Sequence, residues 1–220
     1  MSTPTNPAPT GPHADAPRPW TRIIAACASA SGVPVDSTGA SARDILSLTQ
    51  SWRASGIAYL APQAAGGTWY PQRFTAPLAQ NEPWLSSALA TLDALVARIG
   101  AAGIPPERTI LLGFSQGACL ASEYAARHTR RWGGVVALSG GLIGPDDVPR
   151  DYPGTLDDTP ILLGCSDIDS HIPKERVTHS AEVLKGLGGD VTARLYPGMG
   201  HTINQHEIDT VRSVMTALLQ

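Results

Sequence analysis

The amino-acid sequence predicts an α/β domain with a mostly parallel central sheet and helices on both faces. Three observations lead there. From residue 41 onward, short apolar runs alternate with segments of helical periodicity, the order that strands and helices take around a parallel sheet. A chain of 220 residues supplies one sizeable core and not two comfortable ones. Residues 109–120, TILLGFSQGACL, run from an apolar segment through a serine flanked by glycines into a helix-like segment.

Each element follows from local chemistry. The first 19 residues carry six prolines and almost no apolar bulk, too little to offset the entropy of ordering. The expectation is a disordered tail over 1–19 and a single domain over 20–220. Residues 22–30, RIIAACASA, have the look of a short secretory leader, but the apolar core is short and the proline-rich lead is wrong for one, so secretion is not expected. No run approaches the length of a membrane span. Ser41 and Asp44 form a capping box ahead of Ile45, Leu48 and Trp52. Residues 56–62, GIAYLAP, read as a buried strand stopped by Pro62, followed by a glycine- and aromatic-rich loop long enough to suggest function. Asn81 is expected to cap a helix with Pro83 in its first turn and Leu85, Leu89, Leu92, Val96 and Ile99 along one stripe. A strand over 109–112, a helix over 115–128 and strands over 134–139 and 161–165 come next. Pro173 opens a helix that ends at Gly188 and Gly189. A last strand over 191–196 precedes a C-terminal helix marked by Ile208, Val211, Met215 and Leu218.

Composition narrows the function classes. A formal charge of −3 gives no basic stripe for a phosphate backbone, so nucleic acid is not expected as a partner and a small molecule is favoured. Cys27, Cys119 and Cys165 lack metal-ligand spacing, and their odd number argues against a complete disulfide framework; a reducing cytoplasm fits best.

The chemistry centres on Gly113-Phe-Ser-Gln-Gly, a match to G-x-S-x-G. With a strand entering and a helix leaving, that pattern forms a sharp turn that presents the serine Oγ, here of Ser115, and small flanking residues avoid clashes. The same turn aims the backbone N–H of Gln116 and the positive end of the helix at a developing oxyanion. An ordinary serine N-cap would explain neither glycine. A serine hydroxyl needs a base, and the base needs an orienting carboxylate, in the chain order Ser, acid, His. His201 follows the last strand by a few residues and is the base by position. His128 and His179 fall within helices, His206 near the start of the last one and His13 in the tail, while His171 neighbours the acid loop. Asp167 and Asp169 both follow the strand over 161–165, and spacing does not separate them. Cys119 and Cys165 read as core side chains. Trp69, Tyr70, Phe74 and Trp84 either wall an apolar substrate pocket or pack beneath the loop.

These residues resemble the phospholipase/carboxylesterase family of α/β-hydrolases, which includes acyl-protein thioesterases and bacterial carboxylesterases. The resemblance covers about residues 39–220. It rests on Gly113-Phe-Ser-Gln-Gly-Ala, Ser139-Gly-Gly-Leu, Gly164-Cys-Ser-Asp-Ile-Asp-Ser-His-Ile-Pro and Tyr196-Pro-Gly-Met-Gly-His. It implies the α/β-hydrolase fold, Asp169 as the acid, and hydrolysis of short- to medium-chain acyl esters or thioesters with neither metal nor organic cofactor. It also implies a second oxyanion N–H, here from Thr38. At that place the chain departs from the family pattern: Val33-Pro-Val-Asp-Ser-Thr stands where an apolar strand end and His-Gly-x-Gly are expected. Pro34 would remove a ladder donor from a central strand, and losing one oxyanion donor typically costs about a hundred- to a thousandfold in rate. The rival expectations are a catalytically impaired binding protein on the same fold and acyl transfer to an alcohol or amine acceptor.

Overall fold

In the structure, a computed structural model, the described residues are the backbone of 22–29 together with residues 41–52 and 55–219. The expectations for the 1–19 tail and for the segment 33–38 lie outside them. Every strand pairs parallel with its neighbours, in the order β2-β1-β3-β4-β5-β6. In chain order the elements are β1 (Arg22–Ser29), α1 (Ala42–Leu48), β2 (Ile57–Leu60), α2 (Trp84–Ala101), β3 (Thr109–Ser115), α3 (Gln116–Arg127), β4 (Gly134–Leu138), β5 (Pro160–Ser166), α4 (Lys174–Gly186), β6 (Asp190–Tyr196) and α5 (Gln205–Leu219).

The alternation of side chains along the strands splits the core in two. Leu111, Val135, Ala137, Ile161, Leu163 and Cys165 face the side covered by α2, α3 and α4. Ile110, Leu112, Val136, Leu138 and Leu162 face the side covered by Ile45 of α1 and by Val211 and Met215 of α5. Because both faces are covered, β3, β4 and β5 are nearly continuous apolar runs, as buried parallel strands are. Strand β6 is one edge of the described sheet and is largely exposed. Among the described residues no helix is long and apolar enough to cross a membrane.

Two sequence expectations need correction. The first strand of the sheet is Arg22–Ser29, the segment with the look of a leader, and it lies between β2 and β3. An apolar run of small residues suits a leader or a buried strand equally, and only its neighbours in the sheet tell them apart. Asn81 does not cap α2, whose N-cap position is Pro83 without a side-chain bond. Asn81 instead sits buried two residues before Pro83, accepting from the Gln72 N–H at 2.8 Å and donating to the Arg73 carbonyl at 3.2 Å. The capping box at Ser41 and Asp44 forms as the sequence predicts.

The chain steps from β1 to β2 on one side and returns through β3 on the other, so the order reverses between β1 and β3. In open α/β sheets, ligands settle beyond the carboxyl ends of the strands at such a reversal. Ser29 and Ser115 are paired there, at the last register position of β1 and β3.

Candidate active site

The turn at Ser115 is built by close approach. At Gly113 an added Cβ would lie 2.1 Å from the Gly117 carbonyl oxygen, so only glycine lets α3 fold back onto the strand that precedes it. Gly140 plays the same part from β4's side, where a Cβ would meet the Ala118 side chain at 2.4 Å. Between these contacts Ser115 adopts φ 56° and ψ −124°, a conformation that costs an L-residue about 1 to 3 kcal/mol and persists only where the surroundings over-determine it. Ser115 itself is buried.

Two loops meet over this turn. The loop after β6 carries His201, whose Nε2 lies 2.9 Å from Ser115 Oγ and whose Nδ1 lies 2.7 Å from Asp169 Oδ2. The loop after β5 carries Asp169, whose other oxygen accepts from the backbone N–H groups of His171 at 2.8 Å and Ile172 at 3.1 Å. Burial opposes ionisation of Asp169, but the His201 hydrogen bond, the two N–H donors and the attraction to His201 outweigh it and hold the carboxyl below its usual range. A charged Asp169 favours the proton on Nδ1, which leaves Nε2 to accept from the serine hydroxyl. Asp167, the competitor that spacing left open, points elsewhere: its Oδ1 accepts from the Gly198 N–H at 2.9 Å and ties the two loops together. The rings of Phe114 and His171 flank the imidazole, with centroids at 5.0 and 4.7 Å.

Two other histidines are engaged away from Ser115: His128 stacks on Tyr124 and His206 bonds the Tyr196 hydroxyl. Burial pushes the Cys119 and Cys165 thiols up to about 12, so neither supplies a thiolate at neutral pH.

A cavity of about 280 Å³ opens beside the turn, walled by Tyr70, Arg73, Phe74, Gln116, Cys119 and His171 among others. Of the aromatic residues expected there, Tyr70 and Phe74 line it. Trp69 does not; it is buried in the core shared with α2 and α3. Trp84, in the first turn of α2, is 53% exposed and absent from the wall. Aromatic content in a loop shows that burial is available but not on which side of the backbone each ring falls.

The sequence reading named only the main chain of Gln116, yet its side chain fastens the 68–70 loop to the turn. Oε1 accepts from the Trp69 N–H at 2.7 Å and from Thr68 Oγ1 at 3.2 Å, and Nε2 donates to the Tyr70 carbonyl at 2.8 Å. A variable position within G-x-S-x-G carries no local sign of such a partner. Glu207 was missed for the same reason. It is fully buried, exchanges capping bonds with Asn204 just after His201, and burial raises its carboxyl to about 7. Thr38 lies outside the described residues, and the Gln116 N–H stands at the N-terminus of α3, immediately after Ser115.

The chain is similar to known proteins in sequence and in fold. The sequence model of the family described as Phospholipase/Carboxylesterase matches residues 52–219. Acyl-protein thioesterase 1 of Gibberella zeae is 37% identical over 122 residues, 51% of this chain and 49% of that protein. A probable carboxylesterase of Oryza sativa is 28% identical over 134 residues, 61% of this chain and 50% of its own length. The chain thus spans about half the length of these curated relatives. The crystal structure of a phospholipase/carboxylesterase from Dyadobacter fermentans superposes with a TM-score of 0.82, at 37% identity and over 91% of each chain. SOBER1 of Arabidopsis thaliana, at 21% identity and a TM-score of 0.72 over 91% of this chain and 100% of its own, shares the fold.

Proposed function

The chain belongs to the phospholipase/carboxylesterase family, and from that premise we propose that it is a serine carboxylesterase acting on short- to medium-chain acyl esters or thioesters. The observation that carries this reading is the continuous path from Asp169 through His201 to Ser115, with hydrogen-bond distances of 2.7 and 2.9 Å, at a strand-to-helix turn in which the serine has positive φ. His201 takes the hydroxyl proton as Ser115 Oγ attacks the acyl carbonyl, and Asp169 orients and stabilises the imidazolium. The N–H of Gln116, joined by that of Thr38, holds the oxyanion. Collapse expels the alcohol or thiol, which takes its proton from His201. A water molecule, deprotonated by His201, then attacks the acyl-enzyme and releases the acid. No step calls for a metal or organic cofactor.

The cavity's modest volume supports a short acyl or alcohol group, since sites for drug-sized ligands run from about 300 to 1,000 Å³. The names of the curated relatives support both ester and thioester substrates. The thiols of Cys119 and Cys165 are both free, which supports a reducing, cytoplasmic setting.

Labelling with a fluorophosphonate, together with turnover of 4-nitrophenyl butyrate, tests the reading. The wild-type chain is expected to label at Ser115 and to hydrolyse the ester, and Ser115→Ala to lose both while keeping its circular dichroism. Well-folded wild-type protein that neither labels nor turns over would instead be the impaired binding protein. Product analysis with added alcohols and amines separates hydrolysis from acyl transfer.

A further inference from the structure

The wall of the cavity contains one permanently charged side chain among the described residues, that of Arg73. Its backbone is held from several directions. The buried Asn81 accepts from the Gln72 N–H and donates to the Arg73 carbonyl, the Ala76 N–H donates to that carbonyl at 3.0 Å, and the Gly144 N–H donates to the Phe74 carbonyl at 2.7 Å. The side chain therefore starts from a fixed root. Its guanidinium reaches across to the acid loop, where Nη2 donates to the His171 carbonyl over a long 3.4 Å, and the His171 ring in turn stands 4.7 Å from that of His201.

No carboxylate among the described residues lies within ion-pairing reach of Arg73. Among the described residues the guanidinium of Arg73 thus has that one long hydrogen bond and no ion pair, in a cavity wall that also carries Tyr70, Phe74 and Ile172 and that includes Gln116, the residue after Ser115. A planar fork of N–H donors in such a place matches a carboxylate, which it binds in two parallel hydrogen bonds.

We propose that Arg73 makes this cavity a site for esters that bear a carboxylate a few bonds from the scissile carbonyl. The proposal rests on the serine-esterase reading and narrows its substrate class. The carboxylate belongs to the acyl group, as in a half-ester of a short dicarboxylic acid, or to the alcohol, as in the ester of a hydroxy acid. In both cases the recognition is the same.

The experiment compares matched pairs on the purified full chain. On the acyl side, mono-4-nitrophenyl glutarate is set against 4-nitrophenyl methyl glutarate. On the alcohol side, 3-carboxypropyl butyrate is set against its methyl ester. In at least one pair the carboxylate substrate is expected to be favoured about tenfold or more in kcat/KM, mainly through KM, and the pair that shows it tells which half of the ester enters the cavity. Arg73→Gln should bring that ratio toward one, Arg73→Lys should retain part of it, and 0.5 M salt should shrink it. Ratios at or below one in both pairs, or a ratio that Arg73→Gln does not move, overturn the proposal while leaving the esterase reading intact. If the wild-type chain cleaves no ester at all, the esterase reading fails first. Calorimetry with glutarate then decides: saturable millimolar binding that Arg73→Gln abolishes supports the anion site, and absence of binding overturns it.

Discussion

Asp169 and Asp167 are two residues apart on one loop, yet their carboxylates serve different partners, His201 and the Gly198 N–H. Asp169→Asn keeps the shape and removes the charge that favours the reactive tautomer, so kcat should fall by about 10⁴ with KM little changed, as steady-state kinetics would show. Gln116→Ala tests the other unforeseen contact. It deletes the bonds that hold residues 68–70 against the turn while leaving the Gln116 N–H in place, and it is expected to cost about 2 kcal/mol in urea unfolding. At this scale the serine and the histidine were legible, because a strand-turn-helix motif and chain order are local facts. The division of labour between the aspartates was not, since spacing is nearly the same for both; the family resemblance pointed to Asp169, whose Oδ2 lies 2.7 Å from His201 Nδ1.

The turn from β3 into α3 is the element on which the site depends, and its geometry leaves no room at Gly113. Gly113→Ala would place a Cβ 2.1 Å from a backbone oxygen that no rotamer change can move. The helix would have to shift, at a cost of about 3 kcal/mol or more, and thermal unfolding should show a clear fall in Tm together with loss of ester hydrolysis. Periodicity marked most elements within a few residues of their true ends, because a buried strand and an amphipathic helix each print their pattern on their own residues. It failed where the pattern was ambiguous. Residues 22–29 have the small apolar character of a leader, and pairing with both β2 and β3 is what makes them a central strand. Asn81 has the chemistry of a helix cap but bonds the backbone of the 72–73 loop, since a buried amide takes whichever backbone groups the fold brings to it.

Across the whole molecule, the two cores on opposite faces of the sheet carry a few buried ionisable groups whose protonation is linked to folding. Glu207 is the clearest. Its carboxyl is raised from the usual 4.5 to about 7, so the folded chain holds a proton that the unfolded chain has released. Its contribution is fully present below pH 4.5 and is lost as pH rises through about 7, an effect of up to about 3 kcal/mol. Asp169 has the opposite sign: its carboxyl is depressed below 3.8, and its contribution, present above that value, is lost as pH falls below it. Urea unfolding of the wild type and of Glu207→Gln from pH 4.5 to 8 should therefore diverge, with the wild type losing stability relative to the variant as pH rises. Parallel curves would contradict the buried, proton-holding carboxyl. The sequence by itself determined the alternation of strands and helices, the glycine-flanked serine and the order in which acid and base follow it, because each is written in residues close together along the chain. Only the tertiary structure decided which aspartate meets His201, which aromatic rings face the cavity, that Arg73 stands at its rim and that residues 22–29 run beside Ser115. Those facts depend on distances between segments tens of residues apart, and such distances are set when apolar faces close on one another, a process with no signature at any single position.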